Sequence, residues 1–258
     1  MTAVISALFR HPIKGFTPEK VKLAELAEGK AFPGDRLFAL EDGPCGFDPA
    51  NPGFIPKQRF AVLAKIAEVA KAKTRLDDTT GVTHADAEGM RPFAGKLTQA
   101  ADREAFAAWA SELLGEAAQG PLRLIDGAGW RFLDHPLGHV SIINLASVRD
   151  LEQRLGRSLD PLRFRANLYV EGWPAWSEND WEGRALILGV AKAKVFKPIV
   201  RCAAPDVNPE TAVRDAEITT ALFDNYGHTL CGIYLHVTES GTVREGDSVE
   251  LVSNGGRP

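Results

Sequence analysis

The sequence predicts a mainly β protein of the α+β class, with a β-barrel, flanking helices and a smaller β-rich N-terminal domain. Two observations lead to this fold class. Ten short runs suited to strands recur along the 258 residues, and Gly- and Pro-rich turns separate them. Three segments have the apolar spacing of helices, so a barrel or sandwich with added helices is favoured over alternating strands and crossover helices.

The strand predictions follow from runs of β-branched, aromatic and aliphatic residues between turns. In chain order they are Val4–Phe9, Val21–Leu26, Arg36–Glu41, Arg123–Ile125, Val140–Asn144, Asn167–Glu171, Ala185–Leu188, Ala193–Phe196, Gly232–Val237 and Ser248–Val252. The stretch Phe60–Ala72 fits either element, because its alanines favour a helix and its β-branched residues favour a strand.

Three helices are predicted from spacing and from their end signals. Asp102–Leu114 has apolar residues on one face and is followed by Gly115, a typical C-terminal cap. Ala146–Leu155 follows Asn144, a residue type that caps helix N-termini. Thr211–Phe223 carries mixed charges and is the third predicted helix.

A domain boundary is predicted after the first of these helices, near residues 115–120. It divides the chain into a β-rich domain at 1–118 and a second domain at 119–258, which holds most of the informative residues. The Pro- and Gly-rich stretch 43–56 predicts a long surface loop, a common place for functional residues.

Composition restricts the class of protein. The net charge of −4 argues against general binding to nucleic acid or to anionic membranes, because neither attracts an acidic protein over long range. Neither a signal peptide nor an apolar run long enough for a membrane helix is present, so we expect a cytoplasmic protein without a membrane partner. Pyridoxal phosphate binding is not expected.

The three cysteines, Cys45, Cys202 and Cys231, are far apart and form no CxxC pair. An odd number of unpaired cysteines suits a reducing compartment. Closely spaced thiolates are what a structural zinc site or an iron–sulfur cluster requires, so we expect no intrinsic iron–sulfur cluster. If the protein does electron chemistry, its electrons must come from a separate carrier.

Four short clusters at predicted strand ends carry the groups that could bind a ligand. They are HPIKG at 11–15, PGDR at 33–36, RFRAN at 163–167 and VRC at 200–202. A lone Lys or Arg at a strand end is usually a solvated charge, and a lone cysteine such as Cys202 is usually a small buried residue. Together, however, these clusters offer complementary chemistry.

Arginine and lysine side chains hold phosphates, and arginine does so through two parallel hydrogen bonds. The Asn167 amide could read the edge of a heterocycle. The Cys202 thiolate suits a soft metal–sulfur centre, and Arg201 beside it would help to keep the sulfur deprotonated. Phosphate anchors, a heterocycle reader and one thiolate match the needs of a phosphorylated pterin that carries molybdenum.

Other motifs predict less. His135 and His139 are four residues apart, but Pro136 and Gly138 preclude a regular helix between them, so we do not predict a metal pair. There is no GxSxG motif, and no serine-centred catalytic triad suggests itself.

Taken in order, the clusters resemble the MOSC (molybdenum cofactor sulfurase C-terminal) domain family together with its N-terminal β-barrel partner domain. The branch it resembles is that of bacterial relatives of the mitochondrial amidoxime-reducing component. The matching segments are HPIKG, GDR at 34–36, RFRANLYVEGWPAWSENDW at 163–181, RC at 201–202 followed by PDVNPETA, and GIYLHVTESGTVREGDSVELV at the end. They span nearly the whole chain.

This resemblance implies a fold built around a β-barrel, with the molybdenum cofactor in a cleft between two domains. It implies that Cys202 binds molybdenum. The positions that match cofactor contacts in the family, with Lys14 and Arg36 on the pterin phosphate, are Lys14, Gly15, Arg36, Gly138, Arg165, Asn167 and Arg201. Gly15 and Val200 are departures, since relatives often have Ser at the first position and some have it at the second. At Gly15 a backbone N–H would replace a side-chain contact.

The resemblance also implies an oxidoreductase that reduces N-hydroxylated compounds, such as amidoximes and N-hydroxylated bases. A separate donor of the ferredoxin or flavin type would supply the electrons. One alternative is a carrier of the cofactor or of sulfur, in which Cys202 holds a persulfide. Another is a barrel whose site has decayed into an unrelated binding module.

Overall fold

The computed structural model describes residues 2–252, and its central feature is a closed β-barrel. The strands are β1 (Thr2–Arg10), β2 (Ile13–Lys14), β3 (Glu19–Val21), β4 (Leu23–Leu26), β5 (Phe38–Asp42), β6 (Lys73–Leu76), β7 (Thr83–Asp86), β8 (Phe93–Gly95), β9 (Leu122–Asp126), β10 (Val140–Asn144), β11 (Leu168–Glu171), β12 (Ala185–Leu188), β13 (Ala191–Val200), β14 (Leu230–Glu239), β15 (Gly241–Arg244) and β16 (Ser248–Leu251). The α-helices are α1 (Ala100–Leu114), α2 (Leu145–Leu155) and α3 (Ile218–Tyr226).

Seven strands form the barrel in the order β11-β10-β14-β13-β12-β16-β1, and β1 pairs back with β11 to close it. The closing pair is antiparallel and places Leu8 opposite Leu168. Alternate residues of each strand point inward, so side chains such as Ile5, Ile142 and Leu186 are fully buried in one core. Closure leaves few unpaired strand edges, which stabilises an all-β unit. The predicted mainly β fold with a barrel is confirmed.

A second unit packs beside the barrel and has its own core. It contains the sheet β2-β5-β9 and the sheet β6-β7-β8. Helix α1 covers them and buries Phe106 against Phe16, with Trp109 packed against Phe106. Each unit contains segments from both halves of the sequence. Strand β1 at the N-terminus belongs to the barrel, while β9 at 122–126 pairs with β5 in the second unit. The division at residue 118 stays a prediction, and strand pairing crosses it in both directions.

The helix ends follow their capping residues. The side chain of Asn144 accepts a hydrogen bond from the N–H of Ala146, and Gly156 ends α2 in the left-handed conformation, as predicted. The third predicted helix, Thr211–Phe223, is wrong in its first half. Helix α3 begins only at Ile218, whose N–H donates to the side chain of Asp206.

The segment Phe60–Ala72 is neither a strand nor an α-helix. It contains a short 3-10 helix at Ala67–Lys71, and further 3-10 helices occupy Lys57–Arg59, Gly115–Ala117, Pro161–Phe164, Ser177–Asp180 and Ala204–Asp206. The sheet β6-β7-β8 was not predicted, because its strands are short and half-exposed and carry charged residues.

Candidate functional site

Most of the predicted site residues meet in one cleft, whose walls come from both units. Its inner chamber has a volume of about 40 Å³, and Lys14, Gly15, Arg36, Arg165 and Cys202 are among its walls. The outer chamber measures about 170 Å³ and shares Arg36, Arg165 and Cys202 with the inner one. Cys202 therefore lies where the two chambers meet, beside four cationic side chains.

Backbone geometry aims two of these cations into the cleft. Arg36 lies in the turn before β5 with φ of 47°, and Arg165 ends a 3-10 helix with φ of 54°. These are two of only five non-glycine residues with positive φ in residues 2–252. Such conformations cost free energy and tend to concentrate at functional sites.

Lys14 is buried on the short strand β2 and is 3% exposed. Its Nζ donates to the carbonyl of Phe132 at 2.9 Å and to Asp134 Oδ1 at 2.5 Å. Burial lowers the pKa of Lys14, because it disfavours the charged form, while Asp134 opposes that shift. Burial alone would raise the pKa of Asp134, but the charges of Lys14 and Arg36 hold it well below its usual range.

Two buried groups hold Arg36 in place. Its Nη1 donates to Asp35 Oδ2 and lies 3.1 Å from His11 Nδ1. Burial and the charges of Arg36 and Arg165 lower the pKa of His11 to about 3, so this imidazole is neutral. Despite burial, the charge of Arg36 and hydrogen bonds hold the pKa of Asp35 far below its normal value. The Arg36 guanidinium is thus fixed in the cleft before any ligand arrives.

Arg165 carries the clearest sign of a missing anion. Its Nη2 is buried, and within residues 2–252 it has no hydrogen-bond partner. Burial and the charge of Arg36 lower the pKa of Arg165 to about 10. A buried, unpaired guanidinium nitrogen is costly, and an anionic oxygen in the cleft would satisfy it.

A further cation, Lys57, lines both chambers together with Cys202, and it was not predicted from the sequence. Although burial lowers the pKa of Lys57, its neighbours Cys202 and Asp134 raise it overall. Arg201, which was expected to hold the sulfur deprotonated, instead donates from Nε to the Cys231 carbonyl at 2.8 Å. Its Nη1 donates to the carbonyl of Phe164 at 2.8 Å. Arg201 lines the outer chamber, but its guanidinium is hydrogen-bonded to backbone carbonyls.

The structure gives a physical reason for glycine at position 15. Gly15 has φ of 89°, and a Cβ atom there would lie 2.9 Å from the carbonyl oxygen of Ala61. A serine would not fit this conformation. Gly138 packs on the ring of Tyr234, which a Cβ atom would approach to 2.9 Å, and is not itself a wall of either chamber.

Asn167 does not reach the cleft. Its Oδ1 accepts hydrogen bonds from the N–H and hydroxyl of Ser141, and its Nδ2 donates to the carbonyl of Phe9. The side chain is 2% exposed and joins three strands of the barrel. The cofactor contacts assigned to Asn167 and Gly138 by resemblance stay predictions.

The cleft residues that were not predicted as site residues include Lys57, Asp134, His135, Lys197 and Tyr234. Lys57 follows the predicted long loop at 43–56, which is the one signal that could have indicated it. Lys197 and Tyr234 reach the cleft through the pairing of β13 with β14, and Asp134 and His135 lie in the connection between β9 and β10. A single sequence does not reveal either placement.

The donor set fits a phosphorylated cofactor with a soft metal. It combines a thiol, several fixed cations and an unpaired guanidinium nitrogen. No group of three or more His, Cys, Asp or Glu side chains within residues 2–252 is arranged to hold a metal ion. A metal at Cys202 would therefore need most of its ligands from the cofactor.

The comparisons with known proteins agree with this architecture. Residues 2–120 match the MOSC N-terminal beta barrel domain, and residues 131–250 match the MOSC domain. The chain belongs to the MOSC-domain family. None of the helices in residues 2–252 is long and apolar enough to cross a bilayer.

Curated relatives of this MOSC-domain protein include mitochondrial amidoxime-reducing component 1 of Mus musculus, 26% identical over 125 residues. Mitochondrial amidoxime reducing component 2 of Bos taurus is 29% identical over 122 residues. Each alignment covers 43% of this chain and 36% of the relative, so the match spans about a third of the relatives' length.

Among solved structures, the YUAD protein of Bacillus subtilis has a TM-score of 0.46 at 14% identity, covering 97% of this chain and 96% of that one. YiiM of Geobacillus stearothermophilus has a TM-score of 0.37 at 21% identity, covering 46% of this chain and 56% of that one. Both TM-scores are too low to establish a shared fold.

Proposed function

We propose that this MOSC-domain protein binds a molybdenum cofactor in the cleft and reduces N-hydroxylated compounds with electrons from a separate carrier. The observation that carries the proposal is the meeting of Cys202 with Lys14, Arg36 and Arg165 on one cavity wall. These residues are distant in sequence, and a solvated lysine or arginine at a strand end would have no reason to converge on a thiol.

Different residues of the cleft would bind different parts of the cofactor. Lys14, Arg36 and Arg165 would hold the phosphate, with the unpaired Nη2 of Arg165 as a donor that an anionic oxygen would satisfy. Cys202 would supply the sulfur ligand to the metal. Lys57 would donate a hydrogen bond to that sulfur, and such hydrogen bonds fix and tune a ligand.

When bound, the molybdenum centre supplies two-electron redox chemistry. Conversion of an amidoxime to an amidine and water consumes two electrons and two protons. We expect the electrons to come from a ferredoxin- or flavin-type donor. Asp134 and Tyr234 lie on the cleft wall, where they could hydrogen-bond a substrate.

Activity tests the proposal directly. Protein made in a host that synthesises the cofactor is assayed for molybdenum content and for reduction of benzamidoxime with an artificial electron donor. We expect close to one molybdenum per chain and turnover. Failure of the loaded protein to reduce benzamidoxime, under conditions where an amidoxime-reducing component does so, would refute the reductase.

The ligand assignment has its own test and control. Cys202→Ala is expected to lose most of the bound molybdenum, whereas Cys45→Ala is expected to keep it, because Cys45 lies in the loop beside Glu41 and outside the cleft. Equal metal in wild type and Cys202→Ala contradicts the assignment. A persulfide on Cys202 without retained molybdenum, seen by mass spectrometry, favours the sulfur carrier instead.

A further inference from the structure

The outer chamber differs from the inner one in its chemistry. Both chambers contain cations and aliphatic side chains, and the outer one adds aromatic walls. The walls of the outer chamber include His135, Ile199, Pro205 and Tyr234, and Lys197 lies beside them. The chamber volume of about 170 Å³ is close to the roughly 150 Å³ cavity known to hold one benzene ring.

A row of paired residues across three strands builds this wall. Tyr234 on β14 lies opposite Ser141 on β10 and opposite Lys197 on β13. The register shifts between Val195 and Lys197, so Phe196 is an extra residue in β13. Bulges of this kind re-aim side chains beside functional sites, and here the bulge brings Lys197 to the same face as Tyr234.

The charge of Lys197 has no counterpart. Within residues 2–252 no carboxylate lies within 4.0 Å of its Nζ, which rests 5.7 Å from the Phe196 ring centroid. By contrast, Lys192 on the same strand lies 2.7 Å from Glu239 and is outside the cleft. A cation on an aromatic-lined cavity wall without an internal partner suits an anionic group on a ligand.

The aromatic walls present hydrogen-bond donors. His135 Nδ1 accepts from the N–H of Leu137, so a neutral His135 carries its proton on Nε2. Burial and the charge of Lys197 lower the pKa of His135, which favours this neutral form. Burial and the charge of Asp134 raise the pKa of Tyr234 to about 12, so its hydroxyl stays protonated. The His135 ring is braced by Phe196, with centroids 5.0 Å apart.

On the basis of the proposed function, we propose that the outer chamber is a substrate subsite for one planar ring bearing an anionic substituent, which Lys197 recognises. The ring would pack against the His135 and Tyr234 walls. The N-hydroxyl end would face the junction at Cys202, and the anionic substituent would face Lys197. The favoured substrates are therefore carboxylated aromatic N-hydroxy compounds over uncharged ones.

The test compares benzamidoxime with 4-carboxybenzamidoxime on the molybdenum-loaded protein and on Lys197→Gln, Lys197→Arg and Lys192→Gln. For 4-carboxybenzamidoxime, we expect Lys197→Gln to raise KM about tenfold with little change in kcat, the loss expected for one charge-assisted hydrogen bond. Benzamidoxime should be unaffected. Lys197→Arg should retain most of the preference, and Lys192→Gln should match wild type.

Calorimetric titration of the same loaded proteins, without an electron donor, provides a readout that does not require turnover. Wild type should bind 4-carboxybenzamidoxime more tightly than benzamidoxime, and Lys197→Gln should lose that difference. If wild type does not discriminate, or if Lys197→Gln retains full discrimination, the subsite is refuted. Discriminating binding without turnover of either compound would refute the reductase and leave the subsite standing, whereas turnover without discrimination would do the reverse.

Discussion

Replacing Asn167 with alanine separates two roles that this residue could have. Resemblance to the family assigns it to the cofactor, whereas the structure gives its side chain three hydrogen bonds inside the barrel, to Ser141 and Phe9. The variant leaves the buried N–H of Ser141 without its partner, which costs about 1–3 kcal/mol. The lost bonds to the Ser141 hydroxyl and the Phe9 carbonyl add about 1 kcal/mol each.

We therefore expect Asn167→Ala to lower the free energy of unfolding by about 3–5 kcal/mol. At about 2–4 °C per kcal/mol for a chain of this size, Tm should fall by roughly 6–20 °C. The assay is urea unfolding of protein made in a host that lacks the cofactor, so that no ligand contributes. Asn51→Ala, in the exposed loop at 43–56, serves as the control and should change stability by no more than about 0.5 kcal/mol.

A cofactor-free Asn167→Ala protein as stable as wild type would contradict the structural role of Asn167 in the barrel. If that variant also loses cofactor when made in a competent host, the residue is a cofactor contact, as the resemblance implies. A destabilised protein that still binds the cofactor once folded would instead assign Asn167 to the barrel.

Two further predictions concern stability. Gly15→Ala should destabilise the protein more than Gly43→Ala, because both have positive φ but only Gly15 would push a Cβ to 2.9 Å from a backbone oxygen. Urea unfolding should show a gap of at least about 1 kcal/mol, and equal losses would contradict the clash. His11 should make stability depend on pH, since its pKa is about 3 when folded and about 6.5 when unfolded. That contribution is complete above pH 6.5 and is lost as pH falls toward 3, by about 2 kcal/mol between pH 6.5 and 5. His11→Gln should flatten this slope, and an unchanged slope would count against the assignment.

Local patterns predicted the barrel strands well, because the signal for a strand lies within the strand itself. Val140–Asn144 and Ala185–Leu188 have the predicted bounds, and the Asn144 cap is present. The sheet β6-β7-β8 escaped prediction, since half-exposed strands lack strong alternation. The pairing of β1 with β11 joins residues about 160 apart, and no local pattern contains it.

The site could be predicted only in part, because residues that are neighbours in space need not be neighbours in sequence. Cys202 stood out because Arg201 precedes it and three basic clusters lie upstream, yet the Arg201 guanidinium donates to backbone carbonyls. The side chains of residues adjacent in sequence need not point in the same direction. Lys57, which lines both chambers with Cys202, begins a 3-10 helix about 145 residues away in sequence. Its place depends on how the second unit packs against the barrel.

The cleft therefore forms where the two units pack together, and its cationic side chains are held in position before any anion binds. Arg214 joins the two units beside Cys202, donating to the carbonyl of Leu63 at 2.6 Å and to that of Ala203 at 2.9 Å. Asp35 and Asp134 offset the repulsion among the buried cations. A cluster held in this way loses little entropy on binding a phosphate, since its side chains are already ordered. Within residues 2–252, Arg165 Nη2 is a buried donor without an acceptor, and a bound anion would supply one.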